Sequence, residues 1–419
     1  MRRTRQISRR QVLRSGAIIG GGVLFGAVAP RGAMASDPIR VGHQCDLTGA
    51  LADTGYWRKK TADAAVKWIN SNGGVAGRQI ELTTIDTESK VDVGILRLRQ
   101  LLQESKVDFV LGSEHGGISI ASNPIMLEQK ALYLSQSRTD AVTGVAANPY
   151  VFRLMVDTSL AAHAAGQPII KQVGKRWSII FADYVWGQSH RDAWLAQFKL
   201  AGASVSSVAP IPVNTADPLS FVSRVDRSSD AMLIALLGPD MPRVLIALNQ
   251  LGFGNKPKVL VDACFGVFDV LKLGKAAENM WGMDCSPFEL ADHDTAAERK
   301  MRAEVGIDAN GREVGTNRAC MIGDIWPMWE SLSFIKRNVE GSGWKGRDDH
   351  VKLIKYAEGN PNYKESELFP QGDLFIRPED HQAFCDYYIL RIKDGRIRTE
   401  AKVPKEKGIY PTKINLTSM

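Results

Sequence analysis

Short β-branched runs alternate with longer amphipathic stretches along most of this 419-residue chain, and that rhythm constrains the fold more than any other feature. Strands separated by helix-length segments pair in parallel, with helices covering both faces of the sheet. The pattern predicts strands at Ile39–Val41, Ile80–Asp86, Val107–Leu111 and Leu132–Ser135, with helices at about Trp57–Asn72 and Asp92–Glu104. Asn72-Gly73-Gly74 stops the first helix, because glycine accepts the left-handed backbone of a C-cap. Asn123-Pro124 is expected to restart the helix that follows Gly117, with the asparagine as N-cap. The alternation resumes at Trp177–Ala182, Gln188–Leu200, Ser204–Val208, Ala231–Leu237, Pro242–Leu251 and Lys258–Val261. Two blocks of domain size result, at about 38–152 and 157–280. A third region, 287–375, carries a predicted helix from Asn317 to Asn338, and strands near Asp373–Ile376 and Tyr387–Ile392 close the chain.

The net charge of +7 suggests a nucleic-acid or membrane surface, but its distribution does not. Residues 1–35 hold seven arginines and no Asp, Glu or Lys, which leaves 46 basic residues against 46 acidic ones elsewhere. That segment runs from a basic stretch through a glycine-broken apolar stretch (Gly16–Ala29) to Ala33-Met34-Ala35, a signal-peptidase pattern with cleavage expected after Ala35. Ser8-Arg9-Arg10-Gln11-Val12-Leu13 resembles the twin-arginine export signal, with Val12 where phenylalanine is usual. The apolar run is too short for a spanning helix, which needs about 20 residues. The expectation is a periplasmic protein that is not membrane-embedded.

The five cysteines (Cys45, Cys264, Cys285, Cys320, Cys385) show no zinc spacing; Cys264–Cys285 and Cys320–Cys385 are possible disulfides that sequence cannot assign. There is no HExxH, GxSxG or GxxxxGK[ST], and the seven histidines are scattered. An enzyme is therefore not expected, and neither is a metal or other cofactor. No DNA-binding helix-turn-helix is present, so no nucleic-acid partner is expected.

Several ordered motifs are similar to the branched-chain amino-acid-binding family of type I periplasmic binding proteins. They are Val41-Gly42 through Asp46-Leu47-Thr48-Gly49 to Gly55, then Ile69-Asn70 through Gly73-Gly74-Val75-Ala76-Gly77-Arg78, and Ile376-Arg377 followed by Asp380-His381-Gln382. The resemblance implies an α/β fold with two doubly wound parallel-sheet lobes joined by a three-crossing hinge. Lobe 1 would combine 38–152 with 287–383, and lobe 2 would combine 157–282 with 388–419. The crossings would lie near 153–157, 280–286 and 383–388. It also implies a monomer that captures a small solute between its lobes and delivers it to the membrane permease of an ABC importer. Presentation of the solute to a sensor kinase remains the alternative. The solute would be an amino acid, an amide or urea-like compound, or an organic or aromatic acid.

The ligand is expected at the carboxyl ends of the strands, where open α/β sheets bind. By the resemblance, the loops at Gly112–Gly117 and Ser135–Thr139 would hold its anionic group, which makes Glu114, His115, Gly116, Ser137 and Thr139 candidates. Gly116 stands where the family often has serine. Arg138 stands where a small residue is usual, and would either pair with the ligand or with a helix carboxylate. Trp186 and Tyr56 would wall the ligand from either side. The family holds an α-ammonium with a carboxylate where this chain has Cys264. Either Asp262 or Asp240 supplies the acid, or the ligand lacks that ammonium.

Overall fold

The structure, a computed structural model, describes residues 37–253, 256–262 and 270–418. Arg9, Arg10, the expected cleavage site after Ala35, and Cys264 lie outside the described residues.

The first lobe begins with β1 (Ile39–Cys45), α1 (Ala52–Ser71), β2 (Ile80–Asp86), α2 (Val91–Gln103), β3 (Phe109–Leu111), α3 (Gly116–Glu128), β4 (Leu132–Leu134) and β5 (Val151–Phe152). Its five strands pair in parallel in the order β2-β1-β3-β4-β5. Alternate residues serve opposite faces, as the pleat requires. Phe109 and Leu111 pack with Val41 and Trp57 on the α1 side, while Val110 and Tyr133 join Leu98 and Leu101 of α2 on the other.

The second lobe contains α4 (Thr158–Val173), β6 (Arg176–Ala182), α5 (Val185–Ala201), β7 (Ser204–Ile211), α6 (Leu219–Val222), β8 (Ala231–Ala235), α7 (Asp240–Gln250), β9 (Lys258–Asp262) and β10 (Trp281–Asp284). The chain then leaves this sheet for α8 (Ala296–Val305), α9 (Ile322–Ser342), α10 (His350–Gly359) and a small antiparallel sheet of β11 (Asn362–Tyr363), β12 (Leu374–Ile376) and β13 (Ala383–Phe384). It returns as the hairpin β14 (Tyr387–Lys393) and β15 (Arg396–Val403), which extends the second sheet to β15-β14-β10-β9-β8-β6-β7. Strands β6 to β10 are parallel, and the hairpin is antiparallel. Asp394 and Gly395 turn it with φ of 54° and 67°, the left-handed pair of a type I′ turn. α9 returns to the first lobe and packs along α1.

Three sequence expectations change. α3 runs unbroken through Pro124: the Asn123 side chain donates through Nδ2 to the carbonyls of Val142 and Ala146, both at 2.9 Å, and its Oδ1 accepts no backbone N–H among the described residues, so it does not cap. The helix expected from Asn317 starts at Ile322, since Asn317 is left-handed (φ 60°) and residues 307–319 form a bridged loop. Cys45, Cys285, Cys320 and Cys385 are buried free thiols, so the Cys320–Cys385 disulfide does not form. Cys285 donates to the Gly323 carbonyl at 3.3 Å, and Cys385 accepts from Gln371 Nε2 at 3.1 Å. Among the described residues no helix is long and apolar enough to cross a membrane.

Candidate ligand-binding site

The loops at the carboxyl ends of both parallel sheets face each other across a cavity of about 280 Å³. That is near the lower end of the roughly 300–1,000 Å³ of small-molecule pockets. Leu51, Lys90 and His115 line it from the first lobe, and Tyr184, Leu237 and Asp240 from the second. His115 caps α3, and its Nδ1 accepts the Ile118 N–H at 3.3 Å. The neutral ring therefore carries its proton on Nε2, and burial pushes the pKa down, which keeps the ring neutral. Its ring lies 5.6 Å from that of Tyr184, across the two lobes. Asp240, in the first turn of α7, accepts the Asn214 N–H at 2.8 Å, and burial pushes its carboxyl up.

A second group of predicted residues lies in a buried charge cluster beneath these loops. Arg58 of α1 donates to Gln136 Oε1 at 2.8 Å and Asp324 Oδ1 at 2.9 Å, and is ion-paired with Glu114. Arg138 Nη2 lies 3.4 Å from Asp284 Oδ1 and 3.6 Å from Asp324 Oδ1. Both partners of Arg138 sit on elements distant in sequence, one ending β10 and the other opening α9. Its Nη1 is buried and has no partner among the described residues. Asp46 braces the loops from below, accepting from Ser113 Oγ at 2.7 Å, Glu114 N at 3.0 Å and Thr87 Oγ1 at 2.5 Å.

Burial drives the Glu114 carboxyl up from 4.5 to about 7, against the pull of Arg58 and with a further push from Asp324. Because the folded value lies above the unfolded one, the stability supplied by its bound proton is fully present below about pH 4.5 and lost as pH rises through 7. The loss is on the order of 3 kcal/mol. Glu114→Gln keeps the neutral shape at every pH, so its unfolding free energy should fall less than that of wild type between pH 4.5 and 8. Superimposable denaturation profiles for the two proteins would contradict this assignment.

Ser137 and Thr139 flank Arg138 in the loop after β4, where Thr139 N donates to Ser137 Oγ at 3.2 Å. Thr139 Oγ1 is buried without a partner among the described residues. Gly116 opens α3 where the lobes touch. A β-carbon there would stand 2.2 Å from Thr139 Oγ1 and 3.1 Å from Val185 Cγ1, so the glycine allows this approach. Trp186 is buried in the first turn of α5, its ring 4.3 Å from that of His190.

Three expectations are corrected. Trp186 does not wall the cavity: it is buried and packs its ring against that of His190. Tyr56 does not wall the cavity: its hydroxyl donates to Glu313 at 2.5 Å and its ring is covered by Arg318 at 4.1 Å, so the 307–319 loop claims it. Asp262 does not face the cleft. It is fully buried in the second lobe, 2.5 Å from His190 Nδ1, and accepts from Trp194 Nε1 at 2.7 Å.

Arg58, Asp284 and Asp324 were not anticipated as site residues. Asp324 carried a signal, as the single charge in the run Cys320-Met321-Ile322-Gly323-Asp324-Ile325-Trp326. Arg58 lies on the buried face of α1 with Thr54, Thr61, Ala62 and Ala65, a charge on the packed side of a helix.

Comparisons with known proteins agree with this architecture. A family model described as periplasmic binding protein matches residues 38–396. The Leu/Ile/Val-binding protein homolog 1 of Brucella abortus (strain 2308) is 26% identical over 212 residues, covering 44% of this chain. The matched part spans 57% of that relative's length. Among solved structures, a solute-binding protein of an ABC transporter from Rhodopseudomonas palustris BisB5, in complex with 3,4-dihydroxybenzoic acid, superimposes with a TM-score of 0.74 at 20% identity. That superposition covers 88% of this chain and 98% of the other. A leucine-binding protein from Thermotoga maritima MSB8 gives a TM-score of 0.72 at 18% identity, over 88% and 99% of the two chains. With two α/β lobes facing each other across a cavity and the family match spanning nearly all the described residues, this chain belongs to the periplasmic binding protein family.

Proposed function

We propose that this protein is the periplasmic substrate-binding component of an ABC importer, holding a small polar solute between its lobes without altering its covalent bonds. The observation that carries the reading is the cavity between the carboxyl ends of the two sheets, with walls from both. The arginine-rich leader supports export by the twin-arginine route with cleavage after Ala35. The reading includes a monomeric clamp that delivers its solute to a membrane permease. The three chain passages between the sheets, at Arg153–Asp157, Asp284–Ser286 and Cys385–Tyr387, serve as the hinge. Hinge closure of this kind is the mechanism for which periplasmic binding proteins are a standard example.

Charge narrows the solute. The cluster holds two guanidinium groups, Arg58 and Arg138, against the carboxylates of Asp284 and Asp324, while Glu114 keeps its proton up to about pH 7. A simple acid would add a third negative charge against two positive ones in a buried site, whereas an amide, a urea derivative or a zwitterionic amino acid would add no net charge. The unpartnered Arg138 Nη1 and Thr139 Oγ1 would meet an acceptor oxygen of that solute.

A thermal-shift screen against amino acids, amides, urea derivatives and aromatic acids tests the reading. A matching solute at 100-fold excess over its Kd adds about 2.7 kcal/mol of stability. The largest shift is expected from a solute without net charge, and Arg138→Ala should raise the Kd of that solute by about tenfold or more, as for a hydrogen bond to a charged group. If aromatic acids alone raise the melting temperature, the charge argument fails. If Arg138→Ala binds as tightly as wild type, Arg138 is no ligand contact.

A further inference from the structure

The hinge contains a guanidinium that the ligand-binding reading leaves unused. Arg153 follows β5, is fully buried, and spends all five of its N–H donors. Nη1 donates to the Ser137 carbonyl at 3.0 Å and the Thr139 carbonyl at 2.6 Å. Nη2 donates to Thr143 Oγ1 at 2.5 Å and Asp157 Oδ2 at 3.0 Å, and Nε donates to Gln382 Oε1 at 2.5 Å. These acceptors belong to three separate parts of the molecule. Residues 137–143 form the loop after β4 in the first lobe. Gln382 precedes the last passage between the sheets. Asp157 is the N-cap of α4 in the second lobe, accepting the Leu160 N–H at 2.7 Å. Asp157 also accepts the hydroxyl of Tyr410 from the C-terminal tail.

The same bonds orient the loop. The carbonyls on either side of Arg138 point to Arg153, and the Arg138 carbonyl itself accepts the Thr158 N–H at 3.0 Å. Thr139 Oγ1 and Arg138 Nη1 are left without partners among the described residues. A planar, rigid fork satisfies five acceptors only when they keep one mutual arrangement.

We propose that Arg153 is a positioning residue that locks the 137–143 loop to the Asp157 N-cap and Gln382, making the set of the ligand loop and the angle between the lobes one equilibrium. The proposal rests on reading 137–139 as the ligand loop, but its test needs no ligand. Coupling through the fork must be reciprocal, so a disturbance at Asp157 must reach the loop.

Backbone hydrogen exchange of the unliganded full chain decides it, with Arg153→Lys and Tyr410→Phe as variants. Lysine keeps the charge beside Asp157 but cannot span the five acceptors. Phenylalanine removes only the hydroxyl on Asp157 and makes no change in the loop. In Arg153→Lys, the amides of Thr139 and Val142 are expected to exchange about tenfold faster or more, with Leu233 and Ile234 of β8 within about twofold of wild type. In Tyr410→Phe, the same two loop amides are expected to speed up by about threefold or more, although the substitution lies in the tail. An equal acceleration at Leu233 and Ile234 would reduce Arg153 to a general stability residue and overturn the proposal. So would loop amides within about twofold of wild type in Tyr410→Phe. Should Arg153→Lys fail to fold, the Tyr410→Phe result decides alone. A thermal-shift screen without hits would count against the ligand reading and leave this result standing.

Discussion

Arg58→Met is expected to lower the unfolding free energy by about 3–5 kcal/mol, the usual consequence of removing one partner from a buried ion pair. Arg58 is 2% exposed, and it is the group that meets both Glu114 and Asp324. Methionine fills much of the same volume, so the loss comes from charge and not from a cavity. Glu114 already holds its proton up to about pH 7 and would hold it further still without the arginine. Asp324 would keep only the longer contact to Arg138, at 3.6 Å. The triple variant Arg58→Met, Glu114→Gln, Asp324→Asn removes every charge left unmatched and should recover most of the loss. Urea titrations of the single and triple variants check both statements. A single variant within about 1 kcal/mol of wild type would mean that the cluster is solvated and that its charge does not shape the site.

Gly55→Ala is the second large effect. A β-carbon at position 55 would stand 1.9 Å from the Asp46 carbonyl oxygen and 2.5 Å from its carbon. These are backbone atoms, so no rotamer change relieves the clash. The helix must back away or the loop after β1 must move. Either movement pulls Asp46 from Ser113, Glu114 and Thr87, and with it the brace under the cleft. The expected cost is about 3 kcal/mol, the upper part of the range for overpacking, together with loss of any solute-induced thermal shift. A Gly55→Ala protein that melts and binds like wild type would show that the loop after β1 yields without affecting the cleft. The second lobe repeats the device: a β-carbon on Gly187 would stand 2.0 Å from the Ala182 carbonyl at the end of β6.

How much of this was readable in the chain follows from where each residue gets its neighbours. His115 and Asp240 were legible because each follows a strand, and the ends of parallel strands are where such sheets bind. Gly55 was visible in the motif after the first strand, although not the carbonyl it touches. The rule that put His115 beside the cavity also put Asp262 there, although the structure turns Asp262 inward. A carboxylate at a strand end looks the same in sequence whether it faces the cleft or turns inward, and the His190 and Trp194 that claim it lie on α5, far back in the chain. Arg58 and Asp324 escaped notice because their pairing depends on α9 returning to lie along α1, more than 260 residues later. Periodicity reports the buried face of a helix but not which distant helix covers it. The start of α9 was misjudged for a local reason, since Asn317 adopts a left-handed backbone that a helix excludes.

In the proposed function, two lobes shut on an unmodified guest. X-ray scattering from the purified protein, with and without the solute that most raises its melting temperature, tests this most directly when the solute is recovered afterwards and weighed by mass spectrometry. A smaller radius of gyration on addition, with the solute returned intact, is the expected result. An unchanged scattering profile accompanied by conversion of the solute to a product would contradict it.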